Sequence, residues 1–127
     1  MSAPVVSVRQ IEAGESVSYG GDWVAPKRTA VATLAIGYAD GIPRAVERKA
    51  EVVLGGARRP IVGRVTMDFI MVDVGEEAVA VGDTATLIGR DGNLEITLAE
   101  FSAWSGTISY ETLTRLALRL RREYSGP

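Results

Sequence analysis

The sequence predicts a mostly β fold: an antiparallel strand barrel or strongly curved sheet with two short helices at its C-terminal end. Three observations predict it. Short runs rich in Val, Ile and Thr recur along the chain, and nearly every one ends in a glycine or an Asp-Gly step. The 14 glycines give the backbone the freedom that such tight turns demand. Only after Thr97 does the apolar period change from two to the spacing of a helix. At 127 residues the chain is expected to be a single domain, 1–127, able to bury about two-thirds of the surface its unfolded form exposes.

The elements follow in order. Residues 5–8 form a Val-rich strand led in by Pro4, and residues 11–14 pause in a turn. Residues 15–19 alternate polar and apolar until Gly20-Gly21-Asp22 interrupts them, which leaves Tyr19 at a strand end. Trp23 is expected to pack, with Pro26-Lys27-Arg28 as an exposed link. The uncharged, branched run 31–36 suits a strand covered for most of its length. It breaks at Gly37-Tyr38-Ala39-Asp40-Gly41, which reads either as a site or as an ordinary Asp-Gly turn. Residues 42–44 are irregular and 45–49 solvated. Residues 51–54 and 57–62 make a hairpin about Gly55-Gly56, with Arg58 and Arg59 as its solvated arm. The tract 61–74 is too long and too interrupted for one strand, so a bend is expected at Gly63 and at Thr66-Met67-Asp68. Residues 76–81 link to an alternating strand over 84–89 with threonines outward. Residues 90–93 turn into a strand at 94–96, for about seven or eight short strands in all. Asp83 and Asp91 sit in turn signals and read as structural.

Thr97-Leu98-Ala99-Glu100 has the form of a capping box for a first helix, with Leu98, Phe101 and Ala103 apolar and Ser102 toward solvent. A second helix opens at Ser109, with a stripe of Leu113, Leu116, Ala117 and Leu120. The basic residues Arg119, Arg121 and Arg122 suit a helix C-terminus and need no ligand to explain them.

Composition removes whole classes of chemistry. With no Cys and no His, there is no disulfide, no thiolate nucleophile, no histidine base and no ordinary zinc site. No metal is expected. Fourteen Lys and Arg against 16 Asp and Glu leave no footprint for a polyanion, so nucleic acid is not expected as a partner. No stretch approaches the roughly 18 apolar residues of a membrane span, and no signal pattern opens the chain, so a cytoplasmic protein is expected.

What remains for chemistry is phenol, carboxylate, amine and guanidinium. Three tyrosines occupy break points: Tyr19 before Gly20, Tyr38 after Gly37, and Tyr110 shortly after Gly106. A tyrosine serves as a base only when a cation beside the phenolate brings its pKa down from about 10. The candidate cations here are exposed arginines, so the residues by themselves do not predict an enzyme acting alone. From local pattern alone, Tyr19 reads as an amphipathic packing residue with its hydroxyl at the surface.

Five ordered motifs are more specific. Val17-Ser18-Tyr19-Gly20 with Trp23, Ile36-Gly37-Tyr38-Ala39-Asp40-Gly41 with Arg44, Pro60-Ile61-Val62-Gly63-Arg64-Val65 running to Met67-Asp68, Val81-Gly82-Asp83 with Leu87-Ile88-Gly89, and Gly106-Thr107-Ile108 with Tyr110-Glu111 follow one another. In this order and spacing, from Val6 to about Tyr124, the chain resembles the C-terminal domain of alanine racemase, a pyridoxal-phosphate-dependent amino-acid racemase. The resemblance implies a parent protein with an N-terminal TIM-type barrel, absent from this chain, that carries the cofactor on a lysine. It implies that Tyr19 is one of two catalytic bases, working on the face of the amino acid opposite that lysine. Tyr38 would line the entrance and narrow the pocket, Met67 would offer its backbone NH to the substrate carboxylate, and Tyr110 would hydrogen-bond the cofactor phosphate. The expected partners are the N-terminal barrel domain, from the opposite subunit of a homodimer, and a small amino acid. Pyridoxal phosphate would belong to the intact parent and would not be bound tightly by this domain alone, which is expected to be inactive.

The missing activator is then accounted for, because the cation that lowers the Tyr19 pKa would come from the other domain. Asp40 and Asp68 are open to a second role, fixing the backbone of their own turns. Arg64 is open to being held by an internal carboxylate, and Arg44 to completing the pocket rim. The chain departs from the family pattern at Asp22 (usually Thr), Thr66 (usually Cys) and Phe69 (usually Gln), and at 45–49 in place of a Ser-Asn element. Phe69 in place of Gln is open to enlarging the apolar part of the pocket, so that the parent prefers another amino acid or tolerates several, or to only repacking it. The competing reading is a non-enzymatic β-barrel interaction domain, which predicts an exposed apolar face around Trp23, Tyr38 and Met67.

Overall fold

Branched and small apolar residues line the inside of a closed antiparallel barrel in the computed structural model, which describes residues 1–17, 23–117 and 119–123. In chain order the strands are β1 (Ser2–Ile11), β2 (Ser16–Val17), β3 (Trp23–Val24), β4 (Thr29–Leu34), β5 (Glu51–Leu54) and β6 (Ala57–Val62). They continue with β7 (Ile70–Gly75), β8 (Thr84–Thr86), β9 (Gly89–Asp91) and β10 (Leu94–Ile96). Helices α1 (Leu98–Trp104) and α2 (Ser109–Arg115) follow. Six strands close the barrel in the order β1-β4-β7-β6-β5-β8, while β2-β3 and β9-β10 form separate two-stranded ribbons.

The first strand is longer than its Val-rich centre suggests because it serves two neighbours. Residues Ser2, Ala3 and Pro4 pair with Thr86, Ala85 and Thr84 of β8. After an irregular step between Val5 and Ser7, the strand runs beside β4 to the pair Ile11 and Thr29. The irregular step falls within the β4 pairing, which already begins at Val5 and Leu34, and it bends the strand and so helps the sheet close.

β4 is buried on both faces, as its uncharged sequence requires. Ala30, Ala32 and Leu34 belong to the barrel core, while Val31 belongs to a second cluster with Ile11, Val17, Ala25 and Val62, against which Trp23 and Met71 pack. The β2-β3 ribbon contributes Val17 and Trp23 to that second cluster. The barrel core gathers Leu34, Ile36, Ile42, Leu54, Ile70, Leu87, Ile96 and Phe101, each such side chain stabilising the fold by about 1.5–3 kcal/mol relative to exposure. The threonines of β8 stand away from this core, as the alternation predicts, with Ala85 between them fully buried.

The tract 61–74 does break. β6 ends at Val62, Gly63 takes a positive φ of 69°, and β7 begins at Ile70. Thr66 makes the bend: its amide donates to the Phe69 carbonyl (3.0 Å) and its hydroxyl accepts from the Phe69 amide (3.2 Å).

Several local expectations are corrected. Residues 45–49 are not uniformly solvated, because a 3-10 turn at Arg44–Val46 buries Val46, and Ala50 follows it inward. Arg58 is not part of a solvated arm. It reaches Glu51 (3.1 Å) and Glu100 (2.6 Å) and lies over the Trp104 ring, tying α1 to the barrel wall. Arg59 folds back onto the Leu54 carbonyl. The capping box is half formed: the Thr97 hydroxyl accepts from the Glu100 amide, but the Glu100 carboxylate goes to Arg58. Ser102 is buried rather than solvent-facing and bonds the Thr112 hydroxyl (2.7 Å) between the two helices. Ala103 is exposed. α2 ends at Arg115, before the expected leucine stripe is complete; it buries Thr112 and leaves Leu113 half exposed.

Candidate functional site

The site is built where β4 leaves the core. Past Leu34 the chain enters a 3-10 turn, Tyr38–Asp40, opened by Gly37 and closed by Gly41 at φ 107°. Gly37 is extended, so its lack of a side chain is not a matter of backbone angle. A Cβ there would stand 2.5 Å from the Met67 carbonyl oxygen and closer still to that of Thr66. The loop therefore lies directly on the 66–69 bend. The Tyr38 amide donates to the Thr66 carbonyl (2.9 Å) and the Ala39 amide to the Met67 carbonyl (3.0 Å).

Asp40 is the buried centre of this junction, its side chain 7% exposed. One carboxylate oxygen accepts from the Gly37 amide (2.9 Å), which fixes its own turn. The same carboxylate receives the Arg119 fork, through Nε to Oδ1 and through Nη2 to Oδ2 (2.8 Å). Arg119 Nη2 also reaches Asp68 Oδ1 (2.9 Å). The Arg119 hydrogen bond, opposed by burial and aided by the Gly37 amide, holds the Asp40 carboxyl below its usual range. The guanidinium is pushed above its ordinary value by Asp40 first and Asp68 second. The segment carrying Arg119 is seated by backbone as well. The Ala117 amide donates to the Asp40 carbonyl (3.0 Å), and a Cβ on Gly41 would meet the Arg115 carbonyl carbon at 2.9 Å.

Around this junction the candidate side chains point outward. Tyr38 is 51% exposed, Met67 54% and Tyr110 80%, with Phe69 also exposed. Backbone hydrogen bonds bring the Tyr38 and Met67 segments together. Tyr110 sits in the first turn of α2, the helix whose last residue, Arg115, rests against Gly41. Tyr19, with Gly20, Gly21 and Asp22, lies outside the described residues, as does Tyr124. The flanking Val17 and Trp23 are paired across the β2-β3 ribbon. Arg44 lies at the surface and pairs with Glu47, whose carboxylate also accepts from the Val65 amide (2.9 Å). A cavity of about 830 Å³ lies elsewhere, between Met1, Ser2 and the leucines 113, 116 and 120.

Arg119 is the residue that reading the sequence missed. It was assigned to a helix C-terminus, but α2 has already ended. Its partners are 79 and 51 positions away, a separation that no local pattern reveals. A signal did exist: the aspartates of Gly-Tyr-Ala-Asp-Gly and of the Met-Asp step both sit in tight turns, and a buried carboxylate calls for a cation.

Chemically, this surface can offer backbone amides, phenol hydroxyls and apolar walls. Among the described residues no group of three or more Asp or Glu side chains is placed to hold a metal. Among the described residues no helix is long and apolar enough to cross a membrane.

A closed antiparallel barrel with two C-terminal helices, presenting aromatic and methionine side chains outward around a clamped loop, defines a class: a closed β-barrel domain. Residues 1–124 match the family model described as the alanine racemase C-terminal domain, and the chain belongs to that family. It is 46% identical over 120 residues to the alanine racemase of Symbiobacterium thermophilum, covering 94% of this chain and 32% of that protein. It is 42% identical over 127 residues to that of Vibrio cholerae, covering 99% and 34%. Among solved structures, alanine racemase from a D-cycloserine-producing Streptomyces lavendulae superposes with a TM-score of 0.93 at 36% identity, over 99% of this chain and 33% of that one. The enzyme from Bartonella henselae, with covalently bound pyridoxal phosphate, gives 0.90 at 36%, over 98% and 34%. The chain thus spans about a third of the length of the relatives it matches.

Proposed function

We propose that this chain works as the C-terminal domain of a pyridoxal-phosphate-dependent racemase that interconverts L- and D-alanine or a closely related amino acid, its site completed by an N-terminal barrel domain from the opposite subunit of a homodimer. The observation that carries the reading is the backbone-bonded junction of the Tyr38 and Met67 segments, which leaves both of those side chains about half exposed.

The residues present fit part of a cofactor site. Tyr110 offers an exposed hydroxyl suited to donate to a phosphate oxygen, while the chain's two lysines, Lys27 and Lys49, both lie outside the 37–41 segment. Pyridoxal phosphate, when bound, supplies the electron withdrawal that makes the α-proton of an amino acid removable. The chain's own residues do the rest. Tyr19 takes the proton at its phenolate oxygen from one face, or returns it there, while a base of the other domain serves the opposite face. Two bases on opposite faces are the geometric condition for inversion, since a single base returns the proton to the side it came from. The Met67 amide, held at the 66–69 bend, binds the substrate carboxylate. Tyr38 narrows the entrance and limits the size of the side chain admitted.

The test uses the whole reading frame that carries this chain. Supplied with L-alanine and cofactor, that protein is expected to yield D-alanine, measured by chiral chromatography, while residues 1–127 alone yield none. No product from the whole protein, or sustained turnover by the chain alone, overturns the proposal. A non-enzymatic interaction barrel would expose the same apolar face. It predicts no upstream barrel of roughly 250 residues, the usual (β/α)8 size, so the reading frame separates the two.

A further inference from the structure

The exposure of Tyr38 and Met67 poses a physical problem, because about half of each side chain lies open to solvent, yet a substrate wall must be held to a fraction of an ångström to be useful. Their positions must come from the backbone that carries them. That backbone belongs to two loops distant in sequence, 37–41 and 66–69, joined by the hydrogen bonds from the Tyr38 and Ala39 amides.

A third segment locks them. Arg119 grips Asp40 with two nitrogens and Asp68 with one of the same pair. Asp40 lies two residues from Tyr38, and Asp68 directly follows Met67. A guanidinium is suited to this because its planar fork fixes the angle between the groups it bonds as well as their distance, which a single ammonium does not. The fork is itself anchored from behind by the Ala117 amide on the Asp40 carbonyl. We infer that Arg119 is a positioning residue for the substrate-binding wall: by bridging Asp40 and Asp68 it holds the Tyr38 side chain and the Met67 amide in fixed register. The inference rests on the reading above, in which the Met67 amide meets the substrate carboxylate and Tyr38 borders the pocket.

Two measurements test it. In the chain itself, amide hydrogen exchange is followed by NMR for Arg119→Ala, Arg119→Lys and Asp68→Asn. Exchange at Tyr38 and Ala39 is expected to quicken by roughly tenfold or more in Arg119→Ala, with Ala32 and Val72, paired within the barrel wall, unchanged. Arg119→Lys, which reaches one carboxylate at a time, should fall between. Asp68→Asn alters an exposed partner and serves should the alanine variant fail to fold. In the whole protein, Arg119→Ala is expected to raise KM for alanine about tenfold while kcat changes far less, because the binding wall is loosened and Tyr19 belongs to a different stretch of the sequence. Unchanged exchange at Tyr38 and Ala39 overturns the inference, as does a loss confined to kcat. A whole protein with no racemase activity at all overturns the functional reading instead, and the exchange measurement then still decides whether Arg119 holds the loops.

Discussion

Replacing Gly37 with alanine isolates the close approach on which the site is built. The backbone there is extended (φ −157°, ψ −162°), a conformation alanine adopts freely, so strain in the torsion angles contributes nothing. With room for a methyl group, the substitution would stabilise the protein by about 0.4–1 kcal/mol through the unfolded chain. There is no room: the new carbon would lie 2.5 and 2.6 Å from the Met67 carbonyl atoms, and backbone, unlike a flexible side-chain end, cannot swing aside. The two loops must part, at the expense of the bonds from the Tyr38 and Ala39 amides, each contributing about 1 kcal/mol net. Weakening of the bond from the Gly37 amide to Asp40 (2.9 Å) adds a similar amount. After the unfolded-state offset, a net loss of about 2 kcal/mol remains. With an unfolding entropy of about 2.1 cal/mol/K per residue, a chain of 127 residues should melt roughly 7 °C lower. Circular dichroism of the thermal transition reads this directly. An unchanged or raised melting temperature would refute the close packing of the two loops.

Other outcomes follow from the same contacts. Arg58→Ala should cost about 1–2 kcal/mol in urea unfolding, because it removes the guanidinium that ties the Glu100 carboxylate and the Trp104 ring of α1 to the barrel wall beside Glu51, and Arg58→Lys should recover part of it. Ser102→Ala should cost about 1 kcal/mol, since it leaves the buried Thr112 hydroxyl without its 2.7 Å partner. Asp40 governs an acid transition. Its pKa lies below the unfolded value near about 4, so its contribution is complete above that value and is lost as the pH falls through the depressed native one. Asp40→Asn should therefore be less stable than the native chain at neutral pH, and urea midpoints taken from pH 7 down to 2 should show the gap closing only in the acid range.

The barrel was legible in the sequence because its signals are local. The uncharged run of β4, the Gly55-Gly56 hairpin and the break near Thr66 each declare themselves within a few residues, as does Thr97 at the start of α1. What stayed hidden depends on partners far away. Arg58 and Arg59 look like solvated cations until α1 and the Leu54 carbonyl are folded beside them. Ser102 and Thr112 look like surface hydroxyls, yet each satisfies the other in the space between two helices. Leu113 has the spacing of a core residue, but a helix that ends at Arg115 to seat Ala117 on Asp40 turns Thr112 inward instead. The site shows the same division. Tyr38, Met67 and Tyr110 were found through motifs, whereas Arg119, which binds two of those motifs together, carries no motif of its own.

The central claim is that this chain brings one of two opposed bases to a site completed elsewhere. It is tested most directly by Tyr19→Phe in the whole protein, with racemisation of alanine followed by chiral chromatography and cofactor binding by absorbance. The account predicts that racemisation is abolished while cofactor absorbance is intact. Racemisation retained above a few per cent of the native rate would contradict it.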